Sequence, residues 1–168
     1  MNWKAKLIKF WNFWPPFVGA GISILKTEAD DRGYKALDVR LKLRFWNSNY
    51  VGTQFGGSLF AMTDPFLMVM LVQRLGPGYV VWDKVSTIRF RRPGRSDCFA
   101  RFEVAESEID GIKVRLQTES QFDWVRVVEI RDSQNEVVAT VEKTLYVATR
   151  AHYEASRQRK SKSIADRV

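Results

Sequence analysis

From Leu37 to Phe45 apolar and charged residues alternate: Leu37, Val39, Leu41, Leu43 and Phe45 against Asp38, Arg40, Lys42 and Arg44. A period of two predicts a strand with one face buried. Ile22 to Thr27 reads as its antiparallel neighbour, joined through the turn-forming "DDRG" at 30 to 33. The pattern then changes. After an irregular stretch marked by Gly52, Gly56 and Gly57, residues Ser58 to Leu75 are apolar on nearly every side and stop at "GPG", 76 to 78. That run is long enough for about five helical turns and predicts a buried helix. Pro65 lies inside it, lacks an N–H, and is expected to kink it and free the carbonyl of Ala61. Four further strands are expected at Val80 to Arg91, Cys98 to Ala105, Phe122 to Ile130 and Val137 to Val147, with turns at "RPGRSD" and "DSQNE". Between the second and third of these, Ile109, Ile112 and Leu116 fall at helical spacing, which fits a short helix or an elaborated hairpin.

Six strands and one helix make an α+β chain with no internal repeat. A helix apolar all round cannot lie on one face of a flat sheet, because its outer half would meet water. Either the sheet curls around it or another subunit covers it. One residue breaks the helical pattern: between Gly57 and Val72, Asp64 is the sole charged residue. It is there for chemistry, to cap a backbone irregularity at Pro65, or to pair with an arginine across an interface. In the strand that follows, alternation groups Trp82, Ile88 and Phe90 on one side and Val81, Asp83, Val85 and Thr87 on the other, without fixing which side faces inward.

Composition narrows the chemistry. The 168 residues suit one domain, and the net charge of +8 is unevenly spread. Residues 15–149 carry 18 bases against 17 acids, so the excess lies in two flanking segments, 1–14 and 150–168. No nucleic-acid partner is expected from such a distribution. The first segment reads as an amphipathic helix, with Trp3, Leu7, Phe10, Trp11 and Trp14 near one face and Pro15-Pro16 at its end. It either packs on its own domain or a partner subunit, or makes weak contact with a membrane surface through Trp3 to Trp14. The last segment reads as a basic tail, a frayed helix or disordered. No uncharged apolar run reaches transmembrane length. Cys98 is the single cysteine, so an internal disulfide and CxxC devices are excluded, no metal is expected, and a reducing, cytoplasmic setting is compatible. The single histidine, His152, lies in the tail, which removes Ser-His-Asp and Cys-His hydrolysis and histidine-dependent dehydration from consideration. Catalysis would have to use carboxylates, hydroxyls, amides and backbone dipoles.

The stretch Asn49, "GT" at 52 and 53, "FGG" at 55 to 57, and Asp64 seven positions beyond Gly57 resembles the hotdog-fold acyl-CoA thioesterases. The phenylacetyl-CoA thioesterase-like branch reads N-x-x-G-T-x-H-G-G with an acid seven residues on, inside the helix. The likeness covers residues 15 to about 148, and "FGGSLFAMTDP" with "VVWDKVSTIRFRRPG" is most similar to a hotdog group designated only as a domain of unknown function. The resemblance implies a hotdog fold, an antiparallel sheet of about six strands curled around one long central helix, assembled as a homodimer or homotetramer. It implies hydrolysis of an acyl-CoA or acyl-carrier thioester, with no cofactor beyond the coenzyme A of the substrate itself. By position, Gly56 would offer its N–H to the thioester carbonyl, Asn49 would orient substrate or water, and Asp64 would be nucleophile or general base. Asp83 stands where relatives carry a water-positioning hydroxyl and is a further candidate catalytic residue, which would put two carboxylates in one site, and the parts meet at a dimer interface. Thr53, Phe55 and Gly57 would line the substrate site. Phe55 departs from the pattern, standing where the thioesterases usually have histidine.

Elementary physics agrees with these roles. The leading N–H groups of a helix lack internal partners and sit at its positive end. Glycine there lets a carbonyl approach closely. Seven residues at 3.6 per turn return Asp64 to the face of Gly57. The arginines at 89, 91, 92 and 95 have two readings: Arg91 and Arg92 in particular as phosphate ligands for coenzyme A, or a solvated strand end. A second functional reading stays open beside the hydrolase: a non-catalytic hotdog protein that holds a fatty-acyl chain, favoured by Phe55 and opposed by Asn49 and Asp64.

Overall fold

The computed structural model describes residues 7–165. Six strands form one sheet: β1 (Ile22–Asp30), β2 (Gly33–Leu41), β3 (Tyr79–Phe90), β4 (Cys98–Glu103), β5 (Gln121–Asp132) and β6 (Val137–Thr149). Their order is β1-β2-β4-β5-β6-β3, each neighbouring pair antiparallel, so β1 and β3 are the two edges. The apolar run of the sequence packs on one face of this sheet. Leu59, Met62, Phe66, Leu67, Met70 and Leu71 are buried in one core with Leu37, Val39 and Leu41 of β2 and Val141, Leu145 and Val147 of β6.

The helix is broken, not merely bent. It runs Gly56–Ala61 and restarts at Phe66–Leu75. Pro65 has no N–H to continue the ladder, and the chain tightens before it. Thr63 N–H and Thr63 Oγ1 both donate to the Phe60 carbonyl, and Asp64 N–H donates to Ala61 at 3.2 Å. The Ala61 carbonyl, expected to be free, is thereby occupied. The far side of the helix is less covered than its pattern suggested: Phe60, Ala61, Pro65, Met68 and Val69 are half-buried, Val72 and Asp64 exposed. By length and hydropathy Gly56–Leu75 would pass for a membrane span, yet it is the core helix of the fold.

Alternation in β2 stops at Leu41, four residues before the pattern does. Asn47 is the cause. Its Oδ1 accepts the Arg44 N–H at 2.7 Å, while Nδ2 donates to the carbonyls of Ala20 and Lys42 at 2.7 and 2.8 Å. With Asp97 Oδ1 accepting the Leu43 N–H at 2.9 Å, side chains take over the bonds a strand partner would have made. Phe45 is left 87% exposed.

Of the two readings for residues 106–119, the helix is the one formed: Glu106–Glu119 buries Ile109, Ile112 and Leu116, and Glu108 closes its first turn on the Ala105 N–H at 3.0 Å. At the start of the described chain, Leu7–Phe13 is a 3-10 helix, and Pro15 opens a second short helix, Pro15–Ala20, where proline's fixed φ suits a first turn. This segment docks on its own domain. Ile8 and Phe17 are buried, and Trp11 lies 6.2 Å from the rings of both Phe17 and Phe66. Phe10, Phe13 and Trp14 remain exposed, and Trp3 is outside the described residues. The basic C-terminal segment continues β6 as a helix, Arg150–Ala165.

Candidate active site

Apart from Phe55 and Gly57, which flank the helix start without lining the cleft, the residues singled out by sequence fall into two groups. Asn49, Thr53, Gly56, Arg91 and Arg92 line one cleft of about 500 Å³, with Gln54, Phe90 and Arg95 beside them. Asn49 organises its rim. Its Oδ1 accepts the N–H groups of Val51 and Thr53, and its Nδ2 donates to Thr53 Oγ1 at 2.8 Å and the Gln54 carbonyl at 3.3 Å. Both ends of the amide are thus engaged within the loop that leads into the helix. Gln54, buried and not singled out by sequence, fastens that loop to the sheet by donating to the carbonyls of Leu41 and Ser96 at 3.1 and 3.0 Å.

At the helix start, Ser58 and Leu59 N–H both donate to the Phe55 carbonyl. The Gly56 and Gly57 N–H groups precede those first donors and have no intrahelical partner. Gly56 sits close under Phe90: a Cβ there would stand 3.0 Å from Phe90 Cζ, so the exposed ring would have to shift slightly. The Phe55 ring lies against Gly57, where a Cβ would stand 2.4 Å from Phe55 Cε1. Arg92 is committed elsewhere, to Asp132 at 3.0 Å and Glu136 at 3.3 Å. Arg91 is exposed and its backbone N–H donates to the Val138 carbonyl.

Asp64 and Asp83 form the second group and do not line this cleft. The alternation of β3 misplaces half of that strand, because a bulge lies between Asp83 and Val85. It adds a residue and turns the side chains beyond it over. Val81 and Asp83 therefore share the helix-facing side with Ser86, Ile88 and Phe90, opposite Val147, Leu145, Lys143, Val141 and Ala139 of β6. What joins the two carboxylates is a residue that sequence reasoning missed. Lys143, fully buried, places Nζ 2.8 Å from Asp83 Oδ1, 2.9 Å from the Asp64 main-chain carbonyl and 3.7 Å from Asp64 Oδ1. Asp64 is not held in apolar surroundings within one chain: its side chain is 64% exposed, against 29% for Asp83.

Neither alternative nucleophile type enters the site. Burial, reinforced by the carboxylates of Asp132 and Asp97, pushes the Cys98 thiol up to about 12, so it stays protonated at neutral pH. His152 sits in the C-terminal helix with its Nε2 3.1 Å from Gln121 Oε1.

Comparison with solved structures places the fold. A "Probable Thioesterase" of unknown function from Pseudomonas aeruginosa superposes with TM-score 0.73 at 18% identity, covering 86% of this chain and 95% of that one. A Haemophilus influenzae thioesterase gives 0.61 at 15%, covering 89% and 93%. The E. coli PaaI protein from the phenylacetic acid degradation operon gives 0.58 at 20%, covering 88% and 94%. At such identities the likeness establishes the architecture, the hotdog fold of these thioesterases. No curated protein sequence matches the chain. The family model described as "Domain of unknown function (DUF4442)" matches residues 5–147, and the chain belongs to that family.

Proposed function

We propose that the protein hydrolyses acyl thioesters, of coenzyme A or an acyl carrier, and works as a dimer or higher assembly. The observation that carries this is the position of Asp64. It stands at the break of the central helix, seven residues beyond Gly57, with its carboxylate on the helix's open side in a fold shared with thioesterases. Asp64 activates water as general base, or attacks the carbonyl itself. The carbonyl oxygen takes up charge and accepts from the Gly56 N–H at the helix start, an interaction worth about 100- to 1000-fold in turnover for one good donor. The C–S bond then breaks and the thiolate leaves with a proton as thiol; water attack gives the carboxylic acid directly, whereas attack by Asp64 leaves an acyl–Asp64 anhydride that a second step, with water, hydrolyses to the acid and free Asp64.

Cleft and carboxylate are separate within one chain, and a second copy supplies the missing wall. The β3 edge is twelve residues long and open, and the helix face beside it exposes Val72 and leaves Met68 and Val69 half-covered. An uncovered strand edge beside an apolar helix face is a surface for self-association. Covering it would also withdraw Asp64 from bulk water. Thr53, Phe55 and Gly57 then border the acyl end of the site, and Arg91 holds the anionic end of the carrier. Arg92, already in two ion pairs, shapes the wall.

The test is an acyl-CoA panel on wild type and Asp64→Asn, with sedimentation to establish the assembly. Hydrolysis by wild type and a loss of at least about 100-fold in the variant supports the reading. Equal rates would remove Asp64 from the mechanism. A second reading, acyl-chain binding without turnover, is favoured by Phe55 in the histidine position and by the self-satisfied Asn49. Tight acyl-CoA binding with no hydrolysis by either protein would select it.

A further inference from the structure

The ammonium of Lys143 is fully buried on the sheet's inner face. Isolated, such a charge costs several kcal/mol, and it persists only with partners. Its two nearest partners, one an ion pair and one a hydrogen bond, lie on different elements. Asp83, at the β3 bulge, supplies a carboxylate oxygen at 2.8 Å; Asp64, at the helix break, supplies not its carboxylate first but its main-chain carbonyl, at 2.9 Å. The helix's second piece makes its first internal bond from Val69 N–H to the Pro65 carbonyl, so the Asp64 carbonyl lies just outside the ladder and is free to accept from Lys143. The Asp64 carboxylate at 3.7 Å is within Coulomb range of the ammonium but beyond hydrogen-bond distance. Neighbouring charges are committed elsewhere: Arg126, across from Lys143 on β5, pairs with Glu108, and Lys84 pairs with Asp123.

This arrangement divides the labour between the two acids. Asp83 is the nearer and less exposed, and it is the direct counter-charge of the lysine. Asp64 keeps its carboxylate free of hydrogen bonds to Lys143 and turned to the open side, while its backbone is tied down. We propose that Lys143 is a positioning residue for hydrolysis: it pins the break in the central helix so that the Asp64 carboxylate is presented to substrate, with Asp83 serving as counter-charge and not as a second catalytic acid. The proposal rests on the thioesterase reading given above.

Lys143→Met keeps the length and apolar stem and removes the charge. The expected result is a fall in kcat of about 10- to 100-fold with KM changed less than about threefold, because misplacing a reacting group by an ångström costs that much while the cleft that binds substrate is untouched. Hydrogen exchange on the full chain supplies a readout that needs no activity. Amides of 62–70 should exchange at least about tenfold faster in Lys143→Met, with those of β4 and β5 unchanged, as the break loosens locally. Asp83→Asn/Lys143→Met, which removes both charges together, guards against simple misfolding and should show the same kcat loss. A Lys143→Met enzyme with kcat within twofold of wild type, or exchange at 62–70 no faster than in wild type, overturns the proposal. If wild type hydrolyses no thioester, the functional reading fails while the exchange measurement still decides the anchor.

Discussion

Replacing Asp83 by asparagine tests the energetics on which the buried cluster depends. The substitution is nearly isosteric and leaves Lys143 Nζ, fully buried, with the Asp64 carbonyl at 2.9 Å and one carboxylate oxygen at 3.7 Å. Removing one member of a buried pair costs about 3–5 kcal/mol, since the other charge is left uncompensated. Asp83 is 29% exposed, so water screens part of its interaction and the cost falls to the bottom of that range or just below it, about 2–3 kcal/mol. For a chain of this size that lowers Tm by about 5–10 °C. Urea unfolding followed by tryptophan fluorescence measures it, at one fixed protein concentration so that any assembly contributes equally to each variant. The double variant Asp83→Asn/Lys143→Met buries no charge and should recover most of the loss, giving a coupling of about 1–3 kcal/mol between the two positions. An Asp83→Asn cost under about 1 kcal/mol, or a double variant equal to the sum of the singles, would refute the claim that the ammonium relies on Asp83.

Three further outcomes follow from the geometry. Cys98 has its thiol raised to about 12 in the fold from an ordinary 9.0, so its protonated form is favoured by folding; the stability it contributes is complete below pH 9 and is lost as pH rises from there toward 12, and a thiol reagent should label it only on unfolding. Asn47→Ala removes three hydrogen bonds that end β2 and seat the Ala20 carbonyl, and should cost about 2–3 kcal/mol in urea melts, with a cost under about 0.5 kcal/mol contradicting that role. Gly56→Ala brings a methyl to 3.0 Å from the Phe90 ring, which is 56% exposed and can yield; Tm should move by about 2 °C or less while kcat/KM falls at least about tenfold, because the methyl narrows the carbonyl's approach to the helix N–H.

Much of the architecture was legible because it rests on periodicity. All six strands and the apolar helix stand where alternation and apolar runs put them, and Ile109, Ile112 and Leu116 mark the buried stripe of the helix between β4 and β5. What was not legible depends on side chains that replace backbone partners. Leu43 and Phe45 continue the alternation of β2, but Asn47 and Asp97 take the backbone bonds that a strand would need. The bulge at Asp83–Val85 likewise has no signature in a period-two count, and it reverses the side on which Ile88 and Phe90 lie. The candidate site was half legible: the cleft residues Asn49, Thr53 and Gly56 come together, whereas Asp64 is far more exposed in one chain than an apolar helix implied.

Lys143 was visible in the sequence all along, under a rule that sequence reading applied to only one element. In β6 the inner face reads Val141, Lys143, Leu145, Val147, an apolar stripe with one cation in it. In the central helix Asp64 is the one acid in an apolar run. A charge on a face that folding buries demands an opposite charge, and the cheapest source is another element with the same defect. Two pattern violations of opposite sign, on elements that the fold stacks against each other, are therefore a contact prediction. Here they meet, at 2.9 Å through the Asp64 carbonyl and 3.7 Å through its carboxylate. Asp83 fits the same rule once the bulge is counted, since only then does it fall on the face that Lys143 occupies.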